Sequence, residues 1–291
     1  MIFQPIASGS NGNCSIFAID NIILLIDAGI SRKRIFEGMN QNNLNPHDLD
    51  FILITHAHSD HISGLPVLYS YTTAKLLATK QTLLEIKKLK HLDIRYQQFV
   101  DNRSISMELG SSLRIDNLQI ISLPTLHDID GSTGYCLNYN NDEVQLFYMT
   151  DTGDIKADYY DYIMNSNIVL IESNHDLAML NQSRRPNWLK YRIKNTHLSN
   201  LQTKQILVNL IDSEVQMVYL AHLSGECNSI NEVAISVNQV YSQQSKWKWC
   251  ICPRYEVSSI TTFNSGNLSI SNGITNETYK KLINFKLDSY F

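Results

Sequence analysis

Long apolar runs are missing from this 291-residue chain. The longest candidate, IILLI at 22–26, is strand-sized, far short of the roughly 18 apolar residues a membrane span needs. The opening residues, MIFQPIASGS, lack the basic start and apolar segment of a secretory signal, so a cytoplasmic protein is expected. Cysteines are few and scattered. Cys14, Cys136, Cys227, Cys250 and Cys252 form an odd set without CxxC pairs, which argues against a disulfide framework or a zinc ribbon. An excess of positive charge is absent too: 24 Lys and Arg against 28 Asp and Glu leave a net charge of -4. Counterion release needs clustered cations, so any grip on nucleic acid has to be local.

What is present describes a folded chain. Hydrophobic residues make up 43% and charged residues 18%, enough for an extensive core under a polar surface. The first third opens with short β-rich runs, IFQPIAS, SIFAID and IILLIDAG, divided by the turn formers SGSNGN and Asp20-Asn21. SRKRIFEGMNQ has helical spacing, DFILIT reads as a buried strand, and ISGLPVLYSYT is expected to begin a helix. KLLAT, SLRI and LQIISLP add strands, and Lys80, Lys87, Lys88 and Lys90 form the charged face of a helix. The second half begins again with STGYCLNYN and EVQLFYMTDTG, then alternates helices with IVLIESN and MVYLAHL. Two strand-and-helix halves predict an α/β fold, a four-layer αββα sandwich. No linker or short repeat divides it, so 1–291 is read as one domain.

The densest chemistry lies in HAHSDH, residues 56–61. His56 and His58 sit two apart, which in an extended segment puts both rings on one side, and Asp60 and His61 follow at the turn into the next helix. Imidazoles suit zinc and similar divalent ions, and carboxylates suit harder ones, so the set can serve a two-metal centre. Two ions need more ligands than one run contains. His127, Asp151 and His222 each follow a predicted strand, the place where α/β folds carry functional groups.

HAHSDH, His127, the Asp151 of TDTG and the His222 of AHLS together resemble the successive metal motifs of the metallo-β-lactamase superfamily, over nearly the whole chain. The resemblance implies that His56, His58 and His127 hold one ion, Asp60, His61 and His222 the other, and that Asp151 bridges them. It also implies a bridging hydroxide as nucleophile, with zinc, manganese or iron as the two divalent metal ions. Asp60, as a ligand, is then not free to be an ordinary general base, although it belongs to the catalytic set. SGSNGN, LLIDAG, ITHAHSDHISGL, ESNHD, THLSN and YLAHLS resemble most closely the YycJ/WalJ group of bacterial proteins, which is associated with DNA exonuclease activity. Thr196 stands where that group usually has Gly, and Gly225-Glu226 where it has Arg-Glu. Glu172 and His197 match the proton-donating pair of the tRNA 3′-processing ribonucleases. A carboxylate on one ring nitrogen leaves the other to protonate a departing alkoxide. His197 also reads as the neighbour of a helix cap formed by Ser199 or Asn200.

Substrate contacts have two readings each. SGSNGN, with Ser8, Ser10, Asn11 and Asn13, is a hairpin turn whose backbone N–H groups can also form an anion nest. His175 either serves the site or is a polar loop residue. QSRRPNWLKYRIK carries Arg184, Arg185, Lys190, Arg192 and Lys194 beside Trp188 and Tyr191: cations for phosphates and rings for bases, or an amphipathic helix with its aromatic residues packed inward. KWKWC alternates as a strand does. The expected activity is hydrolysis of nucleic acid, DNA first and RNA second, with a small phosphodiester such as a cyclic nucleotide as a further alternative. A regulatory binding protein on a hydrolase scaffold is the reading from another class. No membrane partner is expected.

Overall fold

In strand after strand the apolar side chains alternate between two different cores, and this alternation sets the layers. The computed structural model describes residues 1–89, 94–141, 143–241, 245–252, 254, 260–264 and 267–271. β1 (Ile2–Ala7), β2 (Cys14–Ile19), β3 (Ile22–Ile26), β4 (Phe51–Leu53), β5 (Lys75–Thr79) and β6 (Ser104–Met107) lie side by side in chain order. A second sheet repeats the plan with β7 (Ser112–Ile115), β8 (Leu118–Pro124), β9 (Thr133–Tyr139), β10 (Val144–Met149), β11 (Ile168–Glu172), β12 (Met217–Ala221) and β13 (Lys248–Ile251). β14 (Ile260–Asn264) and β15 (Asn267–Ser271) return to the first sheet, with β14 beside β1. Each sheet starts antiparallel and turns parallel, at β3 in the first and at β10 in the second.

Leu24 and Ile26 of β3, Leu146 and Tyr148 of β10, and Leu170 of β11 share the core between the sheets. Their sequence neighbours point away from it. Leu25 joins a second core outside the first sheet, while Phe147, Val169 and Ile171 join a third outside the second sheet. Period-two side chains on strands buried on both faces give continuous apolar sequence, as IVLI and VYL show.

Helices cover the outer cores. α1 (Arg32–Gln41), α2 (Ser59–Ile62), α3 (Leu65–Leu68), α4 (Lys80–Lys87) and α5 (Ile94–Arg103) accompany the first sheet. α6 (Tyr160–Met164), α7 (Leu177–Gln182), α8 (Asn187–Thr196), α9 (Asn200–Val208) and α10 (Ile230–Asn238) follow in the second half. The αββα expectation therefore holds. The helix expected over ISGLPVLYSYT is instead two single turns, α2 and α3. The break falls at Ser63-Gly64, where the Gly64 N–H donates to Ala28 O (2.7 Å) and a Cβ would lie 2.2 Å from Ile30 O. KWKWC does alternate, with Trp247 and Trp249 buried and Lys248 exposed. In the lysine cluster, Lys87 pairs with Asp101 and Lys88 with Glu85, while Lys90 lies outside the described residues. All five cysteines are buried, and none is joined in a disulfide. Among the described residues, no helix is long and apolar enough to cross a membrane.

Candidate active site

The C-terminal ends of the parallel strands of both sheets meet at one edge of the sandwich. β3 delivers Asp27 there, β4 delivers His56 and His58, β10 Asp151, β11 Glu172 and β12 His222, while His127 follows β8. Asp27, Asp151 and His222 all have left-handed backbone, with φ of 61°, 56° and 56°. Such angles are rare outside glycine and cost of order 1–3 kcal/mol each, so the surrounding structure holds them. The effect is to turn the side chain inward just past the strand.

Two groups of donors converge. His56 Nε2 lies 3.0 Å and His127 Nε2 3.2 Å from His58 Nδ1. Nitrogens bound tetrahedrally at ~2.05 Å would stand about 3.3 Å apart, so this trio has the spacing of a ligand set. Burial lowers the pKa of His56 and His58 and brings that of His127 down to about 4. Neutral rings are the form that binds a metal. In the second group, Asp60 Oδ2 is 3.6 Å from His61 Nε2 and 3.7 Å from His222 Nε2. Asp151 lies between the groups, its Oδ2 3.3 Å from His61 Nε2 and its Oδ1 3.9 Å from His127 Nε2.

Polar atoms here are left without partners. Asp151 Oδ2 and His222 Nε2 are buried and make no hydrogen bond. Leaving such atoms unpaired costs ~1–3 kcal/mol each unless something else satisfies them. Burial alone would depress His222, but Asp151, Asp60 and Glu172 outweigh it and push its pKa up to about 10. Three carboxylates thus demand positive charge at this spot. A divalent cation meets that demand, and the mixed N and O donor set suits zinc, manganese or iron, so the residues fit the metal ions that the motifs imply.

A further layer aims these rings, and sequence reasoning missed its centre. Asp27, fully buried, accepts from His61 Nδ1 at 2.7 Å and from the Thr55 N–H at 2.9 Å. Thr55 Oγ1 lies 3.1 Å from Nδ1 of both His56 and His61. The signal was the Asp of LLIDAG at a strand end, but its partners are 28 and 34 residues away. Burial would lower His61, yet Asp27, Asp151 and Asp60 raise it well above its ordinary value. Thr196 O accepts from His127 Nδ1 at 3.2 Å, tying the end of α8 to the first donor group.

Glu172 is filled by four donors: His197 Nδ1 (2.9 Å) and His222 Nδ1 (2.7 Å) on Oε1, and the N–H groups of Thr152 and Leu198 on Oε2. Burial would raise this carboxyl, but His197 and His222 hold it at about 2. A carboxylate so occupied orients rings rather than binding an ion. The cap of α9 is a separate matter: Ser199 accepts from the Gln202 N–H, and the Gln202 side chain accepts from the Ser199 N–H. His197 takes no part in that cap; its backbone N–H instead closes the end of α8 on Ile193 O (3.0 Å).

The other sequence candidates fall in different places. Ser8 Oγ accepts from the His222 N–H (2.8 Å). The Asn13 amide donates to Gly9 O (3.2 Å) and reaches His61 Nε2 at 3.0 Å. Both residues brace the site from within, whereas Ser10 and Asn11 are exposed at the loop tip. His175 is buried beside Glu172 and His197 with neither ring nitrogen hydrogen-bonded, and burial lowers its pKa to about 4. Arg185 pairs with Glu226 (3.1 Å), and Arg184 is exposed. The inward packing considered for Trp188 and Tyr191 does not occur. They are 69% and 72% exposed, because α8 buries Ile193 and Thr196 instead.

Comparison with known proteins agrees with this geometry. The model of the beta-lactamase superfamily domain matches residues 23–223. Exodeoxyribonuclease YycJ of Bacillus anthracis is 32% identical over 244 residues, 83% of this chain and 89% of that protein. Exodeoxyribonuclease WalJ of Streptococcus pneumoniae serotype 2 is 33% identical over 242 residues, 82% of this chain and 87% of that one. The crystal structure of YhfI from Bacillus subtilis, a metallo-beta-lactamase fold protein, matches 88% of this chain and 98% of its own with a TM-score of 0.63. At 15% identity that likeness speaks for the fold alone. With the family match covering most of its length and relatives at about one-third identity, the chain belongs to the beta-lactamase superfamily, as a hydrolase of the metallo-β-lactamase fold.

Proposed function

We propose that this protein is a dinuclear metal-dependent phosphodiesterase acting on nucleic acid, and specifically a DNA exonuclease. The reading rests most on Glu172 and His197, 2.9 Å apart beside the two donor groups, since a hydrolase that must expel an alkoxide needs a proton donor there. The relatives named exodeoxyribonucleases support DNA as the polymer. Five buried cysteines, none of them disulfide-bonded, suit a reducing compartment, and we take the whole chain to act as one cytoplasmic domain.

In this proposal His56, His58 and His127 hold one ion, Asp60, His61 and His222 hold the other, and Asp151 serves both. Bound divalent ions supply an activated water and stabilise charge developing on phosphorus. Asp60 is spent as a ligand and takes no proton. His197 keeps Nδ1 on Glu172 and offers Nε2 to the leaving oxygen, passing it a proton as the P–O bond breaks. Glu172 fixes the tautomer and steadies the charged ring before the transfer.

The test is to incubate metal-loaded protein with end-labelled duplex DNA, structured RNA and cyclic nucleotides. Stepwise shortening of the DNA is expected. Activity confined to cyclic nucleotides would sink the nuclease reading, and cleavage of RNA alone would move the polymer to RNA.

A further inference from the structure

We infer that the exposed face of α8 is a stacking platform that holds a single-stranded end of DNA beside the donor groups, an inference that rests on the nucleic-acid reading above. Trp188 and Tyr191 are 69% and 72% exposed, whereas no other large apolar side chain among the described residues exceeds 49%. Large rings displayed so fully are uncommon on a surface without a partner. Their i, i+3 spacing puts them on one face of the helix, with Cβ atoms roughly 5–6 Å apart. Lys194 and Asn195, both exposed, continue that face toward His197.

The segment that carries the rings has charge of one sign. Residues 184–194 contain Arg184, Arg185, Lys190, Arg192 and Lys194 and no acidic residue, in a chain whose net charge is -4. Lys190 and Lys194 donate to the carbonyl and the side chain of Asn181, both neutral, and neither forms an ion pair among the described residues. Two of the arginines are different: Arg185 pairs with Glu226, and Arg192 pairs with Asp128, which follows the donor His127 and docks the helix. The C-terminal end of α8 is anchored by the bond from His127 to Thr196 O. At ~1.5 Å per residue, Trp188 to Thr196 spans about 12 Å, room for a few nucleotides. Aromatic faces for bases and lysines for phosphates, in line with a phosphodiester site, fit a single strand and need no particular sequence.

Fluorescence gives a direct test. The chain has three tryptophans, and Trp247 and Trp249 are 1% exposed, so a base stacking on the surface quenches Trp188 alone. Metal-loaded protein is titrated with phosphorothioate oligothymidylate, following emission and, separately, the anisotropy of a labelled oligonucleotide. Quenching in the wild type, its loss in Trp188→Phe, and affinity about ten- to a hundredfold weaker in the Trp188→Ala, Tyr191→Ala double variant are expected. Both rings are exposed, so the variants are expected to fold, which circular dichroism checks. Unchanged DNA affinity in the double variant overturns the platform while leaving the nuclease reading intact. No binding of the oligothymidylate by the wild type also overturns the platform, while the nuclease reading stands or falls on the cleavage of duplex DNA. A wild-type dimer abolished by the double variant, with DNA affinity unchanged, assigns the face to a second copy and overturns the proposal.

Discussion

Asp27 Oδ2 accepts a hydrogen bond of 2.7 Å from Nδ1 of His61, with both side chains wholly shielded from solvent. The bond leaves Nε2 as the ring nitrogen facing Asp60 and Asp151. Exchanging Asp27 for Asn removes the charge but keeps the shape. Asp27→Asn is expected to weaken metal binding roughly 10–100-fold, measured by competition with a chromophoric chelator. Wild-type affinity would show that the bond does not tune the ring.

His197 acts, in our proposal, on the leaving group rather than on the ions. His197→Ala should therefore keep its metal content while losing ~10²–10⁴-fold in turnover of DNA. The loss should be far smaller with a p-nitrophenolate leaving group, which departs without a proton. Equal losses on both substrates, or a loss of metal, would reject the donor role.

Glu172 carries a pH signature. Its carboxyl is held at about 2 against an ordinary 4.5, so the folded state favours the charged form. The stability this gives is fully present above about pH 4.5 and is lost as pH falls toward about 2. In metal-free protein, the gap in denaturation midpoint between wild type and Glu172→Gln should be flat above about pH 5 and close on acidification. A gap independent of pH down to about 2 counts against the ionic role.

Gly29 permits the approach of α2. A Cβ there would lie 1.6 Å from Asp60 O, a contact that only backbone movement can relieve. Gly29→Ala should lower stability by roughly 1–3 kcal/mol and displace Asp60. The expected readouts are a lower denaturation midpoint and about one metal ion fewer per chain by elemental analysis. Full metal content in a stable variant would mean that the loop adapts without cost.

The sequence by itself determined the layers and the donor set. Period-two strands buried on both faces read as short apolar runs, and HAHSDH concentrates four donors where a strand ends. His127, Asp151 and His222 could be found because each also follows a strand. Local spacing carries such information, since strand direction fixes where a side chain points. Glu172 was legible only in part: its bond to His197 was expected, but its shorter bond to His222, 50 residues away, was not. Asp27 was missed for the same reason, because a buried carboxylate orienting a ring leaves its mark in three dimensions and none in spacing. On α8, Trp188 and Tyr191 suit an inward face as well as an outward one. Tertiary structure chose between them, because the helix packs Ile193 and Leu189 against Leu180 and Cys227 and so turns its larger rings toward solvent.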